Sequence, residues 1–222
     1  MDEFNSLVDI VAKLRSKNGC RWDKAQKLED LKRYLLEEVY ELLDIINTNR
    51  HNKIKEEIGD IILLLVFLCQ LYKEKNKFGI KDSLCSINKK MIKRHPHVFS
   101  SRFKRINKLG NKEEIVRYWI KEKAREKKRT TVFERLPKEA PSLLLAHLLY
   151  KERKYYLDKG NNVKGILFQL KKEINNFKIK NRNENKIVKV ILLLAELAFV
   201  QNLNLEILLK KEIFKRAKSI KY

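Results

Sequence analysis

The chain has 222 residues, 44% of them hydrophobic, enough for one large or two small cores. Only 6 Gly and 3 Pro are present, too few for the many tight turns of a sandwich or barrel, so an all-α fold is expected. A formal charge of +23 raises nucleic acids and phosphorylated small molecules as partners, but the excess is mostly Lys, spread along the chain among many Asn and Ile, as an A+T-rich coding sequence would give; specific nucleic-acid binding is not expected.

The N-terminus, Met1-Asp2-Glu3-Phe4, has no basic stretch leading into an apolar one, so no signal peptide is expected. Phe4, Leu7, Val8, Val11 and Leu14 recur at three and four, which predicts a helix over Glu3 to Leu14. Asn18-Gly19 breaks it and leaves Trp22 in a loop. The three cysteines, Cys20, Cys69 and Cys85, have no CxxC spacing and indicate neither a disulfide framework nor a zinc site, which fits a cytoplasmic protein.

A second helix is predicted from Glu29 to Ile46, with its apolar stripe through Leu31, Leu35, Val39, Leu42 and Ile46. Turning about 100° per residue from Leu35 puts Glu38 about 60° off the centre of the stripe, Glu41 about 120° and Glu37 about 160°. Glu38 therefore borders the core, Glu41 lies beside it, and Glu37 faces outward. A third helix is predicted from Lys53 to Tyr72; Glu57 and Asp60 lie one turn apart at the rim of its apolar half, which reads as buried on every side by helices or a second subunit. The run from Ile61 to Cys69 is well short of the ~20 residues of a membrane span, so no membrane association is expected. A fourth helix from Lys81 to Arg94 places Lys90 and Arg94 on one face; Pro96 ends it, and His97-Val98-Phe99 leads outward.

The segment from Ser100 to Gly110 is irregular and basic, and Lys112 to Lys128 reads as a charged helix with Val116, Trp119 and Ile120. Helical patterns return at Ser142 to Leu157, Val163 to Phe177, Asn185 to Gln201 and Leu205 to Ser219. Their order repeats that of the first half and suggests a duplication, with domains over 1–99 and 136–222 and a charged linker and helix over 100–135.

A hard divalent cation takes oxygen ligands and keeps several waters, so it needs a few carboxylates plus substrate oxygens. Two adjoining helices that each offer two acids one turn apart meet that need. One such pair alone reads equally as a solvated helix face, and Lys32, Lys53 or Lys55 could pair with these acids instead.

Resemblance adds what spacing does not. Gly19-Cys20-Arg21-Trp22-Asp23, Leu36-Glu37-Glu38-Val39-Tyr40-Glu41, Glu57-Ile58-Gly59-Asp60 and the run from Ile87 through Asn88 and His95-Pro96-His97 to Phe99 together resemble the MazG family of nucleoside triphosphate pyrophosphohydrolases. Trp119, Lys123, Glu126 and Lys127 resemble a segment that follows the family's first domain, while Arg21 stands where the family commonly has Pro. The resemblance implies tandem all-α helical-bundle domains, Mg²⁺ held by Glu38, Glu41, Glu57 and Asp60, and Lys90 and Arg94 on the phosphates. It places Asn88 and Trp22 toward the nucleotide, with Trp22 either stacking on a base or packing within its loop. Glu38 and Glu37 are the candidate catalytic acids, Glu37 being open between a solvated group and one that orients water or a second ion. The implied reaction is hydrolysis of a nucleoside triphosphate to the monophosphate and pyrophosphate by a homodimer; the rival reading is a scaffold or partner-binding protein with little or no turnover.

From Leu136 to Tyr222 the chain resembles the family's C-terminal domain with its acids lost. Aligning Ile187–Ala198 with Ile58–Cys69 puts Lys186 and Lys189 at the positions of Glu57 and Asp60, Glu173 is retained, Asn176 replaces the third acid, and Ile213 and Ala217 replace Lys90 and Arg94. Lysines at two ligand positions would repel a divalent cation, so no metal site is expected there.

Overall fold

The apolar stripes find their partners in helical bundles. A computed structural model describes residues 2–101, 111–127, 131–156, 162–177 and 183–220, and divides into two compact units, Met1–Lys104 and Arg105–Tyr222. Among the described residues there is no strand.

The first unit runs α1 (Asp2–Leu14), α2 (Arg21–Ala25), α3 (Leu28–Ile45), α4 (His51–Glu74), α5 (Ile80–Arg94) and α6 (Pro96–Phe99). The long helix α4 is its centre, with α3, α1 and α5 packed against it. Val11, Leu31, Val66, Phe67 and Leu71 are the buried core, flanked by Phe4, Leu7, Val8, Leu63, Leu64 and Ile80. They come from the stripes that periodicity defines, because side chains three and four apart share a helix face. The carboxylate of Asp30 accepts the Lys27 N–H and that of Asp82 the Gly79 N–H, each at 2.9 Å, so α3 and α5 begin with an orphan donor satisfied.

Two expectations need correction. Trp22 lies on the short helix α2 rather than in a loop, because a turn of helix lets the Lys24 and Gln26 amides find carbonyl partners at Cys20 and Asp23. His97, Val98 and Phe99 form the helical turn α6, started by Pro96, whose fixed φ suits a first helical position. Within one chain the apolar half of α4 keeps Ile58, Ile62 and Leu65 exposed on one stripe, the side that the second-subunit alternative would cover.

Between α1 and α2 the chain turns where only glycine fits. A Cβ on Gly19 would stand 2.1 Å from the Leu14 carbonyl oxygen. The Arg15 guanidinium then braces this turn to the far end of α4. It donates to both carboxylate oxygens of Glu74 at 2.7 Å, to the carbonyls of Asp23 and Gln26, and lies 5.2 Å from the Phe67 ring centroid. This bidentate pair holds the Glu74 carboxyl below its usual range.

In the second unit α7 (Lys112–Lys127), which sequence assigns to a linker, precedes a 3₁₀ turn (Phe133–Arg135), α8 (Ser142–Tyr156), α9 (Val163–Asn175), α10 (Glu184–Val200) and α11 (Leu205–Ser219). Helix α10 packs against α9 and α8, and α8 against α11. Ala146, Tyr150, Ala195, Ile166 and Leu170 are buried, and the Tyr150 hydroxyl donates to the Leu192 carbonyl at 3.0 Å. Both α4 and α10 end on an asparagine in the left-handed region, Asn76 at φ 54° and Asn202 at φ 58°. In each case the next amide reaches back to a carbonyl five residues earlier, Lys77 to Tyr72 and Leu203 to Ala198, which satisfies the same orphan acceptor. The basic segment after Ser100 lies outside the described residues from 102 to 110, as do the side chains of Lys123 and Lys127.

Because the Arg15 side chain is only 8% exposed and makes contacts that no other residue type reproduces, Arg15→Ala should destabilise the first unit by about 3 kcal/mol. Urea unfolding followed by Trp22 fluorescence in a Trp119→Phe background measures this. The lowered Glu74 carboxyl contributes stability that is full above pH 4.5 and is lost as pH falls through its lowered value, so the gap between variant and wild type should narrow in acid.

Candidate metal centre

Helices α3 and α4 pack along their length and bring their acids face to face. Glu38 and Glu41 lie one turn apart on α3, as Glu57 and Asp60 do on α4. Carboxylate oxygens of Glu38, Glu41 and Glu57 all lie within 4.8 Å of one another. Glu38 is half-buried, and this loss of solvent raises its carboxyl above the usual carboxylate range. The nearby charges of Asp60 and Glu41 and a hydrogen bond shared with Glu57 raise it further. No lysine or arginine opposes that shift. Among the described residues, none pairs with the four acids, so Lys32, Lys53 and Lys55 do not play that part.

Opposite ligands of a six-coordinate Mg²⁺-sized ion stand about 4.2 Å apart, close to the spread of these oxygens. The donor set is all carboxylate oxygen, and its chemistry lacks positive charge. Glu38, Glu41 and Glu57 fit a hard divalent cation, with Asp60 near enough to act on Glu38.

The other sequence-selected residues are placed differently. Glu37 is exposed, and its charge acts on Arg33 one turn earlier on α3. Trp22 is exposed on α2 with its ring centroid 6.3 Å from that of Tyr34. Asn88 and Lys90 are exposed on α5, and Lys90 lines a cleft of about 390 Å³ with Phe78, Asp82, Ser83, Ser86 and Ile87. None of the four acids lines that cleft. Arg94, one turn from Lys90 on α5, is only 6% exposed and is held by contacts of its own, whereas Lys90 is exposed. Arg15 is the residue that sequence reading passed over. Its partner Glu74 is 59 residues away, and no local pattern marks the pair.

The sequence of this unit matches known proteins. Residues 26–99 match the model of the MazG nucleotide pyrophosphohydrolase domain. Over 96 residues the chain is 48% identical to the nucleoside triphosphate pyrophosphohydrolase/pyrophosphatase MazG of Thermotoga maritima, covering 43% of this chain and 38% of that protein. Over 155 residues it is 32% identical to the nucleoside triphosphate pyrophosphohydrolase of Escherichia coli K12, covering 68% of this chain and 57% of that protein. A third relative, the uncharacterized protein YabN of Bacillus subtilis, is 34% identical over 151 residues, 67% of this chain and 30% of its own length. The matched region therefore spans well under two thirds of each of these relatives. Residues 26–99, the stretch whose helices carry the four acids, are thus similar to the MazG nucleotide pyrophosphohydrolase domain.

Proposed function

We propose that the first unit hydrolyses nucleoside triphosphates to the monophosphate and pyrophosphate with Mg²⁺. The observation that carries this reading is the crowding of Glu38, Glu41 and Glu57 without a cationic partner, inside the segment that matches the MazG domain. A bound Mg²⁺ would neutralise the triphosphate and lower the pKa of an attacking water. Glu38, Glu41, Glu57 and Asp60 would hold it. The bound ion would also favour the ionised form of Glu38, against the crowding that raises its carboxyl. Glu37, exposed beside the cluster on α3, is free to orient a water from its outer side. Lys90 offers an exposed ammonium to phosphate oxygens, and Arg94 adds positive charge from beneath the surface of α5. Asn88 and Trp22, both exposed, contribute to binding the nucleoside.

A second copy of the chain covers the outer faces of α3 and α4. Leu36, Tyr40 and Leu43 on α3 and Ile58, Ile62 and Leu65 on α4 are each 37% exposed or more and recur at four and three, the period of a contact stripe. Ile58 lies between the two acids of α4, so this face borders the metal centre. The scaffold reading draws on the second unit, where lysines stand at two ligand positions. Among the described residues no single helix is long and apolar enough to cross a membrane.

A nucleotide panel with Mg²⁺ should release pyrophosphate, and Glu38→Gln or Asp60→Asn should lower kcat/KM at least about 100-fold with the fold retained by circular dichroism. Orthophosphate as the first product would exclude this reaction, and a folded protein that turns over no triphosphate would favour the scaffold.

The raised Glu38 carboxyl gives a separate test. Its contribution to stability is complete below pH 4.5 and declines as pH rises through the raised value, because the folded state holds that proton more tightly. Without divalent ions, Glu38→Gln should therefore gain stability over wild type across that window in thermal melts. Millimolar Mg²⁺ should stabilise wild type and erase the difference.

For the dimer, sedimentation velocity should give twice the chain mass for wild type and a monomer for Ile62→Glu with Leu65→Glu. A wild-type monomer at micromolar concentration would refute the pairing.

A further inference from the structure

The second unit rebuilds the metal centre with its charge inverted. By sequence, Glu173, Asn176, Lys186 and Lys189 occupy the positions of Glu38, Glu41, Glu57 and Asp60. The fold brings them together across the equivalent helix pair. In the first unit Asp60 acts on Glu38, and Glu57 meets both Glu38 and Glu41. In the second, the Lys189 ammonium lies 3.8 Å from the Glu173 carboxylate, and the Lys186 ammonium donates to the main-chain carbonyl of Asn176. Both contacts cross from α10 to the C-terminal end of α9, where the helix dipole favours a cation.

We propose that the two lysine ammonium groups of the second unit stand in for the divalent cation, so that the α9–α10 pair closes without metal on the frame of a former metal centre. The inference rests on the reading that the acids of the first unit hold such an ion. An ammonium is a compact charge with three donors, able to meet a carboxylate and a carbonyl as a cation does. An incidental surface ion pair would join any two exposed groups, whereas here both contacts cross between the counterparts of α3 and α4, and the Lys189–Glu173 pair joins the side chains at the positions of Asp60 and Glu38. Glu173, kept as the one acid, is half-buried, and Lys189 is its cation. The second unit should therefore be indifferent to chelators, and restoring its acids should restore a cation site.

The test uses the full chain with Mn²⁺ as probe, binding read from the loss of the free-ion electron paramagnetic resonance signal and stability from thermal circular dichroism. In a chain whose first unit is silenced by Glu38→Gln, Glu41→Gln and Glu57→Gln, Mn²⁺ should not bind, and neither Mn²⁺ nor EDTA should move the melt. Adding Asn176→Glu, Lys186→Glu and Lys189→Asp to that chain should create about one Mn²⁺ site, with a melting temperature several degrees higher with the ion than without. If the added acids unfold the second unit, Mn²⁺ should refold it. Saturable Mn²⁺ binding by the silenced chain with its lysines intact would overturn the proposal. So would a restored chain that binds no Mn²⁺, or that stays unfolded in millimolar Mn²⁺. The unsilenced chain is the control for the first unit; its failure to bind Mn²⁺ would count against the proposed function, while the restored chain decides this inference by itself.

Discussion

Like charges facing one another across a helix pair are the constraint on which the first unit depends. Two carboxylates at the 4.8 Å separation of this cluster repel by about 1 kcal/mol in water and about 3 kcal/mol at the effective dielectric of a protein surface. Several such pairs act to separate α3 from α4. Opposing them is the apolar seam of the same two helices, where fully burying a side chain such as Leu31, Val66 or Phe67 contributes about 1.5–3 kcal/mol. The seam keeps the helices together against that repulsion, and the crowding of the acids appears as a Glu38 carboxyl raised above its usual range.

The opposite end of α4 shows how the frame is kept rigid. Arg15 joins the end of α1, the carbonyls around α2 and Glu74 in the last turn of α4, stacking over Phe67 in the core. Its charge is fully neutralised by a bidentate partner, the geometry in which an arginine pair stabilises rather than merely offsets its desolvation. One end of the bundle is thus closed by matched charge, while at the acidic end no cationic side chain offsets the crowding around Glu38.

How much of this could be read from sequence depended on the range of the signal. The long helices, the core positions and the ranking of Glu38 over Glu41 over Glu37 all follow from a 3.6-residue period, and the observed burial of Glu38 and exposure of the other two agree with it. Local pattern failed where the deciding contact was distant or the element short. The pairing of Arg15 with Glu74 spans 59 residues. Helix α2 is only five residues long, too short for periodicity to separate it from a turn. Arg94 shares a helical face with Lys90 by spacing, yet tertiary packing buries it and leaves Lys90 open. The exposed stripe of Ile58, Ile62 and Leu65 looks like core in sequence, because composition does not say whether an apolar face meets its own chain or another.

Comparison of the two units separates what the helix pair needs for folding from what it needs for chemistry. Ile187, Ile191 and Leu194 of α10 fall at the positions of Ile58, Ile62 and Leu65, and all six are apolar and exposed within a single chain. Leu31 and Ile166 are likewise matched and both buried. The units differ in their charged groups, where Glu57 and Asp60 give way to Lys186 and Lys189 and where Lys90 and Arg94 give way to Ile213 and Ala217, and on the outer stripe of α3, where Leu36 and Tyr40 give way to Lys171 and Asn175. The α9–α10 pair therefore packs without the acids that α3 and α4 carry, with Ile166 and Leu170 buried and Lys189 paired to Glu173, so the apolar contacts and not the carboxylates hold such a helix pair together.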